Sequence, residues 1–460
     1  MNRNNNQYKY NKYRKQYKRF IYESFDYSIN ENTITASFNF NLDNKHSFRP
    51  TIQFPFNTPI VPENVLNNHL KNIVFHIGMV ELISYWKAAC PPEIVIKPYA
   101  LNFDQIKFWK KIYFNGLGEF FYLNSISTSI DEFVKISASS DNVLEKCSLK
   151  TENYHIIPIG GGKDSTVSME LLSGTKNTNL LLILNPRKAC LETAHVGGYE
   201  DDKILKVYRT IDPLLIRLND EGYLNGHTPF SALLAFISLL AASVVGYKNI
   251  VLSNESSSNE STVENSSVNH QYSKSIEFES DFREYYMKYI TSDINYFSFL
   301  RPINETQIAK LFALNEAYFN VFKSCNVGSK NNIWCGKCAK CLFTFIILSP
   351  FIPSETMIRI FGSNLFEKKE LICEFEQLIG LSETKPFECV GTIEEVNISL
   401  CEIINKHTGN KLPFLLNFYK TTINYKTFQN KPISLLLKDY NDKHFLSTFF
   451  ETILKNKLND

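Results

Sequence analysis

His155-Ile156-Ile157-Pro158-Ile159-Gly160-Gly161-Gly162-Lys163-Asp164-Ser165-Thr166 is the stretch from which the rest of the chain is read. A short apolar run enters three glycines, and Lys-Asp-Ser-Thr leads into Val167–Leu172 at helical spacing. That order predicts a strand, a tight loop and a helix N-terminus. Glycines remove the Cβ atoms that hold backbone N–H groups away from a phosphate. The helix adds unpaired amides and the positive end of its dipole. Lys163 and the hydroxyls of Ser165 and Thr166 would complete an anion cradle, and Asp164 fits it once Mg²⁺ lies beside the phosphates. Walker A spacing, with four residues between Gly and Gly-Lys-Ser/Thr, is absent. A plain Gly-rich turn between strand and helix is the competing reading.

With 460 residues and 44% hydrophobic content, the chain has material for large cores in two to four domains, at roughly 150 residues per domain. A net charge of +2 gives no reason to expect nucleic acid. Ten cysteines are too few and too unevenly spaced for a disulfide scaffold, which points to a reducing cytoplasm. The polar N-terminus lacks the apolar segment of a leader. The most apolar stretch, Phe230–Gly246, contains Ser231, Ser238 and Ser243 and is short for a membrane span. It is expected as a buried helix behind the nucleotide site, and no membrane or obligatory protein partner is expected.

Residues 1–19 are basic and polar without acids and are expected as a disordered, solvated arm. Residues 20–150 read as an α+β domain. Thr33–Phe40 alternates as a half-buried antiparallel strand, a helix covers 64–90, and a helical region covers Phe103–Asn124 around the Gly116–Glu119 turn. Residues 151–348 alternate strand and helix, with Leu180–Leu184 and Asn249–Leu252 as buried strands. That alternation is the pattern of a parallel, doubly wound α/β sheet, in which ligands lie beyond the carboxyl ends of the strands. Residues 349–460 read as mainly helical. The Ser/Asn/Glu-rich Ser253–Ser275 is either a solvated loop or an active-site flap.

Trp334-Cys335-Gly336-Lys337-Cys338-Ala339-Lys340-Cys341, with Cys325 upstream, supplies four thiols for one tetrahedral ion. Zinc is expected in a structural role, an iron–sulfur cluster draws on the same ligands, and free structural cysteines are the remaining reading. Lys337 and Lys340 offset thiolate charge. His227, just before the apolar helix, is either a residue satisfying backbone groups or a ligand or proton-transfer contact. Arg301 either clamps a phosphate or carboxylate or makes a salt bridge, and Asn304-Glu305-Thr306 leads into a helix over 306–322.

The glycine loop resembles the pyrophosphate loop, Ser-Gly-Gly-x-Asp-Ser, of enzymes that split ATP into AMP and pyrophosphate, with Gly160 standing for the first Ser. Taken with Asn254-Glu255, the cysteine knuckle and Lys385-Pro386-Phe387-Glu388-Cys389-Val390-Gly391, the chain resembles the MurL family, the UDP-N-acetyl-α-D-muramoyl-L-alanyl-L-glutamate epimerases. Phe25-Asp26-Tyr27 and Asn115–Phe120 extend the similarity into the N-terminal domain. The loop and knuckle are also shared with 7-cyano-7-deazaguanine synthases. The resemblance implies a PP-loop fold of the adenine nucleotide alpha hydrolase type and an ATP- and Mg²⁺-dependent inversion of the terminal L-Glu of a UDP-linked muramoyl dipeptide for peptidoglycan. Adenylation of the carboxylate would release pyrophosphate and make the α-proton removable. Gly160, Gly161, Gly162, Lys163, Ser165 and Thr166 would hold the pyrophosphate, and Asp164 with Glu255 would organise Mg²⁺. His227, Glu255, Glu388 and Cys389 are the acid/base candidates. The rival is an amidating or thiolating ligase that hands the adenylate to ammonia or sulfur. A non-catalytic nucleotide binder would predict loss of Lys163, Asp164 or Ser165, and all three are intact.

Overall fold

Alternation along Thr33–Leu42 buries Ile34, Ala36, Phe38, Phe40 and Leu42 on one face, as a strand with one face on a core requires. The structure is a computed structural model and describes residues 5–56, 63–264, 266, 268–409 and 411–459. Backbone contacts divide the chain into two units, residues 1–156, 205–250 and 267–296, and residues 157–204, 251–266 and 297–460. The fold is α/β. The segment 151–348, read as one domain, contributes to both units, and 349–460 belongs with the second.

The first unit carries a large mixed sheet. Strands β1 (Arg19–Asn30), β2 (Thr33–Leu42), β3 (His46–Phe48) and β4 (Thr51–Pro55) pair antiparallel, with β2 against β1, β3 and β4. The β1–β2 turn places Glu31 and Asn32 at φ 43° and 60°, the sign a two-residue hairpin turn demands. Strands β5 (Glu93–Ile96) and β6 (Lys135–Ala138) add in parallel beyond β1. The helix Glu63–Glu81 lies close to this sheet at Gly78, where a Cβ would meet the Tyr22 hydroxyl at 2.0 Å and Phe38 at 2.7 Å. Helices Phe103–Gly116 and Gly118–Leu123 stand where helix was expected. The apolar helix Phe230–Val245 is buried along most of its length. It belongs to the first unit, where Ser243 meets His69 of the helix Glu63–Glu81 at 2.8 Å.

The basic arm is a correction. Residues 1–4 lie outside the described residues, but Gln7–Gln16 is a helix with Tyr10 and, just after it, Tyr17 buried. Arg14 donates to the carbonyls of Cys90 (2.9 Å) and Phe133 (2.7 Å). Tyrosines at helical spacing give the segment an apolar face, and that face overrides its charge.

Strands β7 (Glu152–Pro158), β8 (Asn179–Leu184), β9 (Ile204–Arg209), β10 (Tyr247–Leu252) and β11 (Asn295–Ser298) follow. All but β8 change unit part-way along. β7 and β10 pair in parallel through His155–Asn249 and Ile156–Ile250, whereas β9 pairs antiparallel with β4. Within 151–348 the β7–β10 pair is parallel, as the alternation predicts, and the antiparallel neighbour of β9 comes from outside that segment. The open edge of β4 takes β9 as its partner, which gives both strands a ladder of backbone bonds. In the second unit Ile159 N–H donates to Leu182 O at 2.8 Å and Phe299 N–H to Leu252 O at 2.7 Å. The helix expected over 306–322 is shorter, Glu305–Ala313, followed by a 3₁₀ turn at Glu316–Tyr318. Beyond Pro353 the chain is mainly helical, from Ser354–Phe361 to Thr448–Asn459. Among the described residues no helix is long and apolar enough to cross a membrane.

Candidate active site and metal centres

The loop between β7 and the helix Lys163–Leu171 has the anatomy of an anion site. Gly161 sits at φ +77°, and a Cβ there would lie 2.9 Å from Cys190 N and 3.0 Å from Ala189 C, so only glycine fits. Gly162 is the N-cap and no side chain caps the helix, which leaves first-turn amides as donors for a ligand. Around Gly160 a Cβ would meet nothing within 4 Å; the position would take the Ser of the common motif without strain. Lys323 N–H ties the loop through Gly161 O at 2.8 Å. The Ser165 and Thr166 hydroxyls turn back onto Gly162 O, at 3.2 and 3.0 Å, so they brace the loop in this state.

Lys163 is buried, with 2% of its side chain exposed, and its ammonium donates to the Asp164 and Glu305 carboxylates. Burial opposes the charge on Lys163, but the two carboxylates outweigh it and hold its pKa above the ordinary value. Burial pushes the Glu305 carboxyl up, Lys163 partly offsets this, and the charges of Asp164 and Glu255 add to the rise. Asp164 and Glu305 both pair with the Lys163 ammonium, and carboxylates gathered at the glycine loop are a donor set that suits a hard divalent cation.

Glu305 was not singled out from the sequence. Its signal is the capping box of Asn304 and Gln307 that opens the helix, a local motif that reveals nothing of Lys163. Glu305 N–H in turn donates to Glu395 Oε1 at 2.6 Å, and Glu395 also accepts from Ser257 (2.8 Å) and Thr392 N–H (2.6 Å).

Arg301 is fully buried. Nη1 donates to Glu255 O and Ser258 Oγ, both at 2.7 Å, and Nη2 to Ser298 Oγ at 3.3 Å. These bonds tie Arg301 to the Glu255 loop and to β11. The Glu255 loop is not merely solvated. Val263 bridges Thr384, Lys385 N–H donates to Thr262 O at 2.9 Å, and the Lys385 ammonium pairs with Glu260. Residues 265 and 267 of the stretch lie outside the described residues. The Lys-Pro-Phe-Glu-Cys segment thus acts as a brace for residues 260–264. Lys340 donates to Cys389 O, and the Glu388 charge bears on the Cys338 thiol.

The four cysteines converge. Cys325–Cys338, Cys335–Cys341 and Cys338–Cys341 sulfurs are 3.8, 3.7 and 3.6 Å apart. Tetrahedral ligation at about 2.3 Å per Zn–S bond puts sulfurs about 3.8 Å apart, so one ion fits where the larger core of an iron–sulfur cluster would spread the thiols. Gly336, at φ +62°, makes the knuckle turn. Backbone amides of Gly328 and Lys337 point at Cys325 and Cys335 sulfurs, at 3.1 and 3.4 Å, the usual outer support of a thiolate site.

His227 belongs to the first unit, not to the unit that holds the glycine loop. It stands beside Glu119 and His270, its Nδ1 3.6 Å from Glu119 Oε2. Burial, reinforced by the neighbouring His270, pushes its pKa down to about 4, so it is neutral at pH 7. Glu119 and His270 were not foreseen, because no short motif joins them to His227.

Residues 11–299 match the MurL N-terminal domain and residues 321–431 the MurL C-terminal domain. The chain belongs to the MurL family. Among curated MurL relatives, the UDP-N-acetyl-alpha-D-muramoyl-L-alanyl-L-glutamate epimerase of Xanthomonas oryzae pv. oryzae is 33% identical over 72% of this chain and 74% of its own length. The same-named proteins of a Micromonospora species and of Salinispora tropica are each 31% identical, over 81% and 83% of this chain and 84% of their own lengths. The N-terminal match takes in Glu119, His227, His270 and the glycine loop, and the C-terminal match takes in the knuckle and the 385–391 brace.

Proposed function

We propose that this MurL protein is an ATP- and Mg²⁺-dependent epimerase that inverts the terminal L-Glu of UDP-MurNAc-L-Ala-L-Glu in cytoplasmic peptidoglycan precursor synthesis. The observation that carries the ATP reading is the uncapped glycine loop, with Gly161 locked at positive φ and the buried Lys163 at the head of the helix. We read the loop's surroundings as the PP-loop type of doubly wound fold. The names of the relatives support the substrate.

The α-hydrogen of a carboxylate is poorly acidic because the carbanion would form beside a negative charge. Transfer of AMP to the carboxylate removes that charge, and the loop amides and Lys163 hold the departing pyrophosphate. Asp164, Glu255 and Glu305 would hold Mg²⁺, which would neutralise phosphate charge when bound. Fixed donors aimed at developing charge are the main catalytic term. Zinc at the four cysteines keeps a structural role.

The test uses UDP-MurNAc-L-Ala-L-Glu with ATP and Mg²⁺ in deuterated water. AMP together with deuterated D-Glu is the expected result. AMP released only with another acceptor would move the protein to the ligase class, and no AMP with any carboxylate would end the adenylation reading. Asp164→Asn is expected to lower AMP formation about 100-fold or more with little loss of folding, since Glu305 still faces Lys163; full turnover would remove the metal role of Asp164.

A further inference from the structure

We propose that Glu119, His227 and His270 form a second metal site, in the first unit, that takes a divalent transition ion of the zinc class. It does not depend on the function proposed above. The three side chains come from separate segments: the helix Gly118–Leu123, the turn before the helix Phe230–Val245, and the Ser/Asn-rich loop. Their donor atoms all lie within 4.8 Å of one another. Nδ1 of His270 is 2.5 Å and Nδ1 of His227 3.6 Å from the same Glu119 Oε2, and the two rings are 4.5 Å apart.

A hydrogen bond to Glu119 accounts for His270. It does not account for His227, whose nitrogen stands beyond hydrogen-bond range yet faces the same oxygen. Bonds of about 2.0–2.2 Å to nitrogen and oxygen put tetrahedral donors about 3.4 Å apart, inside the observed spread. Two imidazoles and one carboxylate are the ligand set of sites that leave a coordination position open. The exposure agrees, with 28% of the His227 side chain and 11% of Glu119 and of His270 reachable by solvent.

The backbone is built to hold the cluster. A Cβ on Gly226 would lie 3.0 Å from Phe120 Cδ2, so glycine lets the chain before His227 run against the helix that carries Glu119. Lys87 fixes the same turn, donating to Asn225 Oδ1 at 3.0 Å and Gly226 O at 2.5 Å. On the other side Val268, two residues before His270, lies next to Gly118 at the start of that helix.

The full-length protein, stripped by chelation and titrated with Co²⁺, tests the assignment. A thiolate site gives intense sulfur-to-cobalt charge transfer, and a histidine–carboxylate site gives only weaker ligand-field bands. The parent protein is expected to take up one thiolate-free equivalent beside the cysteine-bound one. Glu119→Gln, His227→Gln and His270→Gln are each expected to lose the thiolate-free equivalent and keep the thiolate band, which also reports that the second unit is folded. Cobalt uptake identical in parent and variants, or uptake of the thiolate type alone, would overturn the proposal. X-ray absorption of the zinc-loaded parent needs no variant: imidazole scattering is expected, and sulfur-only scattering would overturn it.

Discussion

In the second unit four thiols gather within one short stretch, Cys325 to Cys341, around a turn that Gly336 makes possible. In the first unit a carboxylate and two imidazoles meet from positions 119, 227 and 270, with Gly226 packed against Phe120 beside them. The first arrangement needs only one segment of the chain to fold on itself. The second exists only once a helix, a turn and a loop have docked, so its donors depend on stability elsewhere. Lys163 stands between these extremes: Asp164 is its neighbour in sequence, and Glu305 reaches it from another helix.

The largest expected effect falls on the knuckle. Structural zinc supplies apparent binding energy on the order of 10 kcal/mol, comparable with the whole stability of a domain. Cys338→Ser or Cys341→Ser should therefore lose zinc and collapse the thermal transition of the second unit, and an unchanged melting curve in zinc-free protein would break the contrast. Next comes Lys163→Met, which leaves Glu305 buried without its cation and should cost about 3–5 kcal/mol. Adding Glu305→Leu should restore most of that stability in denaturant titrations without restoring AMP formation.

The first unit should respond to acid instead. Burial pushes His76 down to about 4, although its Nδ1 keeps a 2.7 Å bond to Asn72 O, and its Nε2 is 2.9 Å from the Tyr285 hydroxyl. Unfolded histidine titrates near 6.5, so the unfolded chain binds more protons between these values. Stability is then full above about pH 6.5 and falls as pH drops toward 4, by up to about 3 kcal/mol for one group. His76→Gln should flatten that part of the pH–stability curve. The smallest effects separate two adjacent glycines. Gly160→Ser should change stability by no more than about 0.5 kcal/mol, whereas Gly161→Ala, at positive φ against the Ala189–Cys190 backbone, should cost more than about 1 kcal/mol. Equal melting curves for the two variants would show that the loop is not under the constraint described.

Short-range chemistry was legible without coordinates. The glycine loop opening a helix, the spacing of the cysteines and the alternation of Thr33–Leu42 each depend on residues a few positions apart, where backbone geometry leaves few choices. Partners assembled over long range were not. Glu305 beside Lys163, Glu395 beneath it, and Glu119 with His270 around His227 carry no local pattern that marks their destination. Sequence leaves Arg301 open between an anion clamp and a salt bridge, and its burial against the Glu255 loop is not written there, because burial and a partner's address are set by docking. The antiparallel pairing of β9 with β4 and the folding of the basic N-terminal helix follow from the same cause: open sheet edges and apolar faces find their cover only in three dimensions.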